Sequence, residues 1–208
     1  YLLQSIPFLI PGSPIWLHRA WQVILWLALP LAGSLFITRR LNIKPPLIST
    51  MIMIWGYLFL NQGPVYYHLM VCVIIVAAGF SIQKPRISLI FVLLASIWAG
   101  ISRINWFPVP GILAVMLYLL EEPRAGKNFW QYWRWPAIWA ISGVAAAFLA
   151  QTVYIAISGN PAANFGTSFT SSLLWYRLFP NTTYPDGVLN SIVLAILPVL
   201  ILLLLKYG

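Results

Sequence analysis

Long apolar runs broken by short basic clusters govern every other reading of this sequence. The first run, residues 15–37, covers 23 positions, with His18 and Arg19 near its start and Arg39, Arg40 and Lys44 just beyond it. At 1.5 Å per residue such a run crosses a hydrocarbon core of about 30 Å. Charge is too scarce for a soluble domain, in which about a quarter of residues are charged. Here 12 Lys and Arg and 3 Asp and Glu stand in 208 residues, 61% are hydrophobic and the mean hydropathy is +0.87. The expected fold is therefore all-α: a polytopic bundle of six to eight transmembrane helices, each of roughly 20 residues. A net charge of +9 would suggest nucleic acid in a soluble protein. In this chain the bases fall between apolar runs and read as topology signals, so no nucleic-acid partner is expected.

Pro30, inside the first run, is expected to kink it. Residues 46–80 are apolar except for Asn61-Gln62-Gly63-Pro64 at their middle and Tyr66-Tyr67-His68 after it. Residues 87–120 carry Ser102-Arg103-Ile104-Asn105-Trp106-Phe107-Pro108 at their centre, which a lipid-facing helix would not tolerate. Reading both stretches as hairpins gives seven spans, near residues 15–37, 46–60, 65–80, 87–101, 108–120, 136–157 and 188–205. One side then holds Arg39, Arg40, Lys44, Lys84, Arg86, Arg124, Lys127, Arg134 and Lys206, and the other Arg19, Arg103 and Arg177. The positive-inside rule places the start of the chain outside and its end inside. Several spans are short, so the two polar turns are expected to lie in a depression, an outward-facing cavity.

Glu121–Pro136 mixes Arg124, Lys127 and Arg134 with Trp130, Tyr132, Trp133 and Trp135, the composition of an interfacial segment. Gly143 and Ala147 form a small-xxx-small pair that permits close helix approach. Residues 158–187 make the one long polar loop. Tyr1–Pro14 lacks the basic start and cleavage site of a signal peptide. The 208 residues are read as a single transmembrane domain within a longer chain.

The outer side collects the directional chemistry. Arg103, embedded among aromatic residues beside a short span, is the candidate phosphate ligand, with Asn105 and Trp106 beside it. Its alternative role is a snorkelling cation at the headgroup level. Gln62, Tyr66, Tyr67, His68 and Arg177 are the candidate pocket residues. His18 and His68 lie at matching depth, where two imidazoles could hold haem or pigment, or simply be hydrogen-bonded at the interface. A third His, a Cys pair and an acidic cluster are all absent from the sequence, so no metal site is expected. Glu121 and Glu122 read as a solvated charge pair with Arg124 on the inner side. That leaves Asp186, in Tyr184-Pro185-Asp186-Gly187, as the candidate catalytic carboxylate, or else as a turn or capping residue.

Two segments, Gln62-Gly63-Pro64-Val65-Tyr66-Tyr67-His68 and Ser102–Pro110 followed by Ala114 and Tyr118-Leu119-Leu120-Glu121, resemble stretches of large bacterial membrane proteins organised like C-type glycosyltransferases. The resemblance spans about residues 15–125. It implies a many-helix bundle, an outward-facing cavity, a polyprenyl-phosphate-linked sugar donor, an Arg near the phosphate and a catalytic carboxylate in the first outer loop. Arg103 matches the phosphate-binding role. The sequence departs from that pattern because no Asp or Glu precedes Ile15. Two functions follow as expectations: a membrane glycosyltransferase, with the 158–187 loop on the acceptor, or a non-catalytic accessory subunit that binds lipid or pigment among membrane-protein partners.

Overall fold

The computed structural model describes residues 3–62, 67–123, 126 and 128–159, then 179–182, 185, 187, 189, 190, 193 and 197. All regular structure among them is helical. Six α-helices follow in order: α1 (Ile15–Arg40), α2 (Pro46–Gln62), α3 (Met70–Gly79), α4 (Pro85–Ser102), α5 (Val109–Glu121) and α6 (Phe129–Ser158). Short 3-10 turns occupy Ile6–Leu9, Tyr67–Leu69 and Ile104–Trp106. Four segments are long and apolar enough to cross a membrane: Ile15–Arg40, Pro85–Ser102, Ile104–Glu121 and Phe129–Ser158. Pro46–Asn61 and Tyr67–Gly79 are shorter apolar helices. The chain is thus a multi-pass membrane protein. Six of the expected spans coincide with described helices, and the one near 188–205 lies outside the described stretch apart from isolated residues.

The chain divides into two compact units, residues 1–154 and 155–208. The second, as far as it is described, contains the last turn of α6, where Ser158 Oγ donates to Ile155 O at 3.1 Å, and the Asn181 amide donating to Phe179 O at 2.9 Å. The rest of the fold belongs to the first.

Burial inverts the soluble pattern. On α2 the exposed stripe is Leu47, Met51, Ile54, Trp55, Leu58 and Phe59, spaced for one helical face yet apolar throughout. Buried positions meanwhile include Ser34, Thr38, Ser88 and Ser96. Such a surface is stable against acyl chains, which solvate apolar groups and leave close packing and hydrogen bonds to join the helices.

Small residues set that packing. A Cβ on Gly100 of α4 would lie 3.0 Å from the Cα of Ala147 of α6. On Gly111 of α5 it would lie 2.9 Å from the Cα of Ala140, and on Gly143 of α6 it would lie 3.1 Å from Ser96 Oγ. One glycine from each of three helices therefore lets the backbones of α4, α5 and α6 meet, and the Gly143–Ala147 pair lies in that contact. At the α1–α2 crossing, Ser34 Oγ donates to Met53 O at 2.7 Å, with Gly56 leaving room for it. Short α3 lies between α1, α4 and α5, burying Cys72, Val76 and Ala77, and Cys72 Sγ donates to Ala95 O.

At the basic end Arg40 binds three helix ends together. Its guanidinium donates to Ala77 O and Phe80 O, where α3 terminates. It also pairs with Glu121 of α5 at 2.7 Å and lies 5.4 Å from the Phe80 ring centroid. The last carbonyls of a helix lack intrahelical donors and carry its negative pole, so a guanidinium satisfies them in both respects. This corrects the reading of Glu121 as a solvated partner of Arg124: Glu121 belongs to Arg40, and Arg124 lies outside the described residues. The aromatic segment before Pro136 is helical. Helix α6 starts at Phe129 and runs through buried Pro136, so residues 129–135 form its first two turns. They are held there by Tyr132 Oη donating to Glu122 O at 3.0 Å, and by Trp139, fully buried, whose indole N–H donates to Pro85 O at 3.2 Å. Helix α1 likewise continues through buried Pro30.

Two tests follow. Replacing Arg40 with Met should lower unfolding stability by about 1–3 kcal/mol, chiefly by leaving the Ala77 and Phe80 carbonyls without their donor; Glu121→Gln, which alters only the exposed ion pair, should cost less, and denaturation in detergent measures both. Gly100→Ala should destabilise by about 1–3 kcal/mol through overpacking, whereas Gly33→Ala, whose Cβ would meet only Met70 Sδ at 3.8 Å, should leave the melting temperature nearly unchanged.

Candidate functional site

The end of the bundle opposite Arg40 gathers most of the described polar candidates. Helix α4 closes on Arg103, whose N–H donates to Ala99 O at 2.8 Å. Its extended backbone then turns the chain into the Ile104–Trp106 turn, closed by Trp106 N–H to Arg103 O at 3.0 Å. Phe107 anchors this connection: it is 2% exposed and meets Phe148 edge-on, with ring centroids 5.2 Å apart. The polar turn is thereby fixed to α6 by an apolar plug, so residues 103–106 have a defined position.

Within that turn the candidates differ. Arg103 is half-buried and Asn105 exposed, while Trp106 packs on the hydrophobic core. Trp106 therefore positions the turn from beneath. Tyr67 and His68 lie in the 3-10 turn leading into α3, half-buried, with rings edge-on at 5.8 Å. Trp98 of α4 ties that turn to the Arg103 end of its own helix, its indole N–H donating to His68 O at 3.0 Å. That bond links the Tyr67–Leu69 turn to the helix that ends before Arg103. Gln62 ends α2. Tyr66, Arg177 and Asp186 lie outside the described residues.

His18 is placed differently. Its Nε2 is 2.8 Å from Ser13 Oγ and its ring lies 4.3 Å from that of Phe8, while its buried Nδ1 has no hydrogen-bond partner among the described residues. Those contacts come from the segment that precedes α1, and they give His18 a local role in folding that segment. Among the described residues no three metal-ligating side chains gather.

The segment before α1 is the part of the site that sequence reasoning missed. Residues 3–13 fold over this end as a strap. The Gln4 amide donates to Tyr67 Oη, Trp21 Nε1 donates to Leu3 O at 2.7 Å, and Ser13 Oγ donates to Pro7 O at 3.1 Å. The available signal was Trp21 itself, since an indole N–H near an apolar interior must find an acceptor. Which acceptor it finds is a tertiary fact.

Two apolar clefts flank α5. One of 570 Å³ is lined by Pro108, Ile112, Ala140, Ile141, Val144 and Ala145. The other, of 260 Å³, lies among Ile37, Leu60, Met70, Val73, Ile112 and Met116. Both offer an almost wholly apolar lining, suited to a hydrocarbon chain and to no polar substrate.

No protein-family model, curated protein or solved structure matches this chain.

Replacing Tyr67 with Phe removes the acceptor of Gln4. Amide hydrogen exchange over residues 3–9 should accelerate roughly fivefold, the equivalent of one hydrogen bond of about 1 kcal/mol, with exchange in α4 unchanged.

Proposed function

We propose that this protein is a multi-pass membrane glycosyltransferase that takes a sugar from a polyprenyl-phosphate carrier, with Arg103 on the carrier phosphate. The observation that carries the proposal is Arg103 itself: a half-buried arginine just past the end of α4, on a turn plugged into the bundle by Phe107. A guanidinium held at a fixed position can present two parallel N–H groups to phosphate oxygens, which a mobile surface lysine does not. The apolar clefts beside α5 provide room for the carrier's hydrocarbon.

On this reading seven spans cross a bacterial inner membrane, with Arg103 at an outward-facing cavity. Gln62, Tyr66, Tyr67, His68 and Arg177 then belong to the pocket, Asn105 and Trp106 to the phosphate beside Arg103, and the 158–187 loop to the acceptor. Asp186 is the carboxylate on the same side, and it takes the general-base role.

A second reading, a non-catalytic lipid- or pigment-binding subunit of a larger membrane complex, is favoured by one observation. Two of the three acidic residues stand at the opposite end, Glu121 paired with Arg40 and Glu122 next to it in the chain.

Native mass spectrometry with a short polyprenyl phosphate separates the two. Wild type should retain the lipid, and Arg103→Ala should weaken retention roughly tenfold or more, the range of a charge-assisted hydrogen bond. Equal retention by both proteins would refute the phosphate role. Retention accompanied by loss of sugar transfer in Asp186→Asn supports the transferase; retention without any transfer in wild type, with partners co-purifying in mild detergent, supports the subunit.

A further inference from the structure

The Arg40 end carries a feature that the transferase reading does not use. Three separate connections bring exposed cations to it: Arg39 and Lys44 around the α1–α2 link, Lys84 and Arg86 at the start of α4, and Arg134 in the second turn of α6. None of these five makes an ion pair among the described residues; the pair formed at this end is Arg40 with Glu121. That pair matters for the others. By pairing with Glu121, Arg40 occupies an acid that would otherwise compete for the exposed cations.

Exposed aromatic residues accompany them. Phe129 and Trp130, 51% and 78% exposed, open α6 one turn before Arg134, with half-buried Trp133 between. Large rings left uncovered beside unpaired cations are adapted to the headgroup layer, where one end of a residue is apolar and the other wet. They hold this end at the depth of lipid phosphates, within the Debye length over which an anionic leaflet attracts bases. Helices α2, α4 and α6 also begin here without an acidic residue in their first turns, so their positive poles add to the same field.

We infer that the Arg40 end is a docking face for anionic phospholipid headgroups, with Lys84, Arg86 and Arg134 as its principal cations. The partner is the bilayer's own acidic lipid, engaged through its phosphodiester. The face selects that lipid over a zwitterionic one because phosphatidylcholine carries its own trimethylammonium to compete with the cations.

Spin-labelled phosphatidylglycerol and phosphatidylcholine, each diluted into the purified protein in phosphatidylcholine vesicles, give the relative association of the two lipids with the protein surface. Wild type should favour phosphatidylglycerol several-fold, and the preference should shrink as salt is raised. The triple variant Lys84→Gln, Arg86→Gln, Arg134→Gln should lose most of it, bringing the two lipids close to equal association even at low salt, since each base contributes to the attraction of an anionic surface. Arg19→Gln, which removes an exposed cation at the other end, should keep it. Equal association of the two lipids with wild type overturns the proposal, as does a folded triple variant that retains the preference. Should the triple variant fail to fold, the single Arg134→Gln, on the exposed face of α6, must show a partial loss at low salt; an unchanged preference there overturns the proposal equally.

Discussion

Arg40 does for this bundle what a hydrophobic core does for a soluble one. In lipid, apolar burial supplies little drive for helices to associate, because acyl chains solvate Leu and Ile as well as another helix does. Polar groups that cannot reach water must then choose the neighbour. Helix α3 is ten residues long, and its terminal carbonyls would be stranded at the depth where it ends. Arg40 reaches them from α1 and takes Glu121 from α5 with the same group. One side chain thereby fixes the relative heights of three helices.

The opposite end depends on that setting. With α3 held between α1, α4 and α5, its leading turn meets α4 where Trp98 can bind His68 O. The glycine contacts of α4, α5 and α6 then fix the Arg103 turn, because backbones that touch at Gly100, Gly111 and Gly143 have little freedom to slide. Phe107 closes the arrangement against α6. The backbone of the Arg103 turn is therefore held by apolar and small residues, several of them a full helix length from the Arg40 clamp.

The helices themselves were legible in the sequence, since hydropathy and the polar interruptions at residues 61–68 and 102–108 mark where apolar runs end. The seating of α6 was not. Its first turns are rich in Trp and Tyr, a composition that suits a membrane interface without saying which rings pack inward, and the buried contacts of Tyr132 and Trp139 fix that. Arg40 was counted among basic topology signals for the same reason. Sequence shows a cation beside another cation, Arg39, and cannot say that one is exposed while the next reaches the end of a helix 37 residues away. At the candidate site, Arg103 was found because a cation amid apolar residues is conspicuous. The strap of residues 3–13 escaped because its contacts are ordinary amides and hydroxyls whose partners lie far along the chain.

The contrast between Arg39 and Arg40 also explains how one end of the molecule can be both a clamp and a cationic surface. Neighbours on a helix point about 100° apart, so one faces the bundle while the other faces out. The inward arginine meets an acid and two carbonyls, and its charge is spent. The outward one joins Lys44, Lys84, Arg86 and Arg134, none of which forms an ion pair among the described residues. Adding carboxylates there would neutralise the face, but it would also offer Arg40 competing partners and loosen the clamp. The scarcity of acidic residues, first a sign of a membrane chain, is thus also a condition for the Arg40–Glu121 pair to be the one that forms.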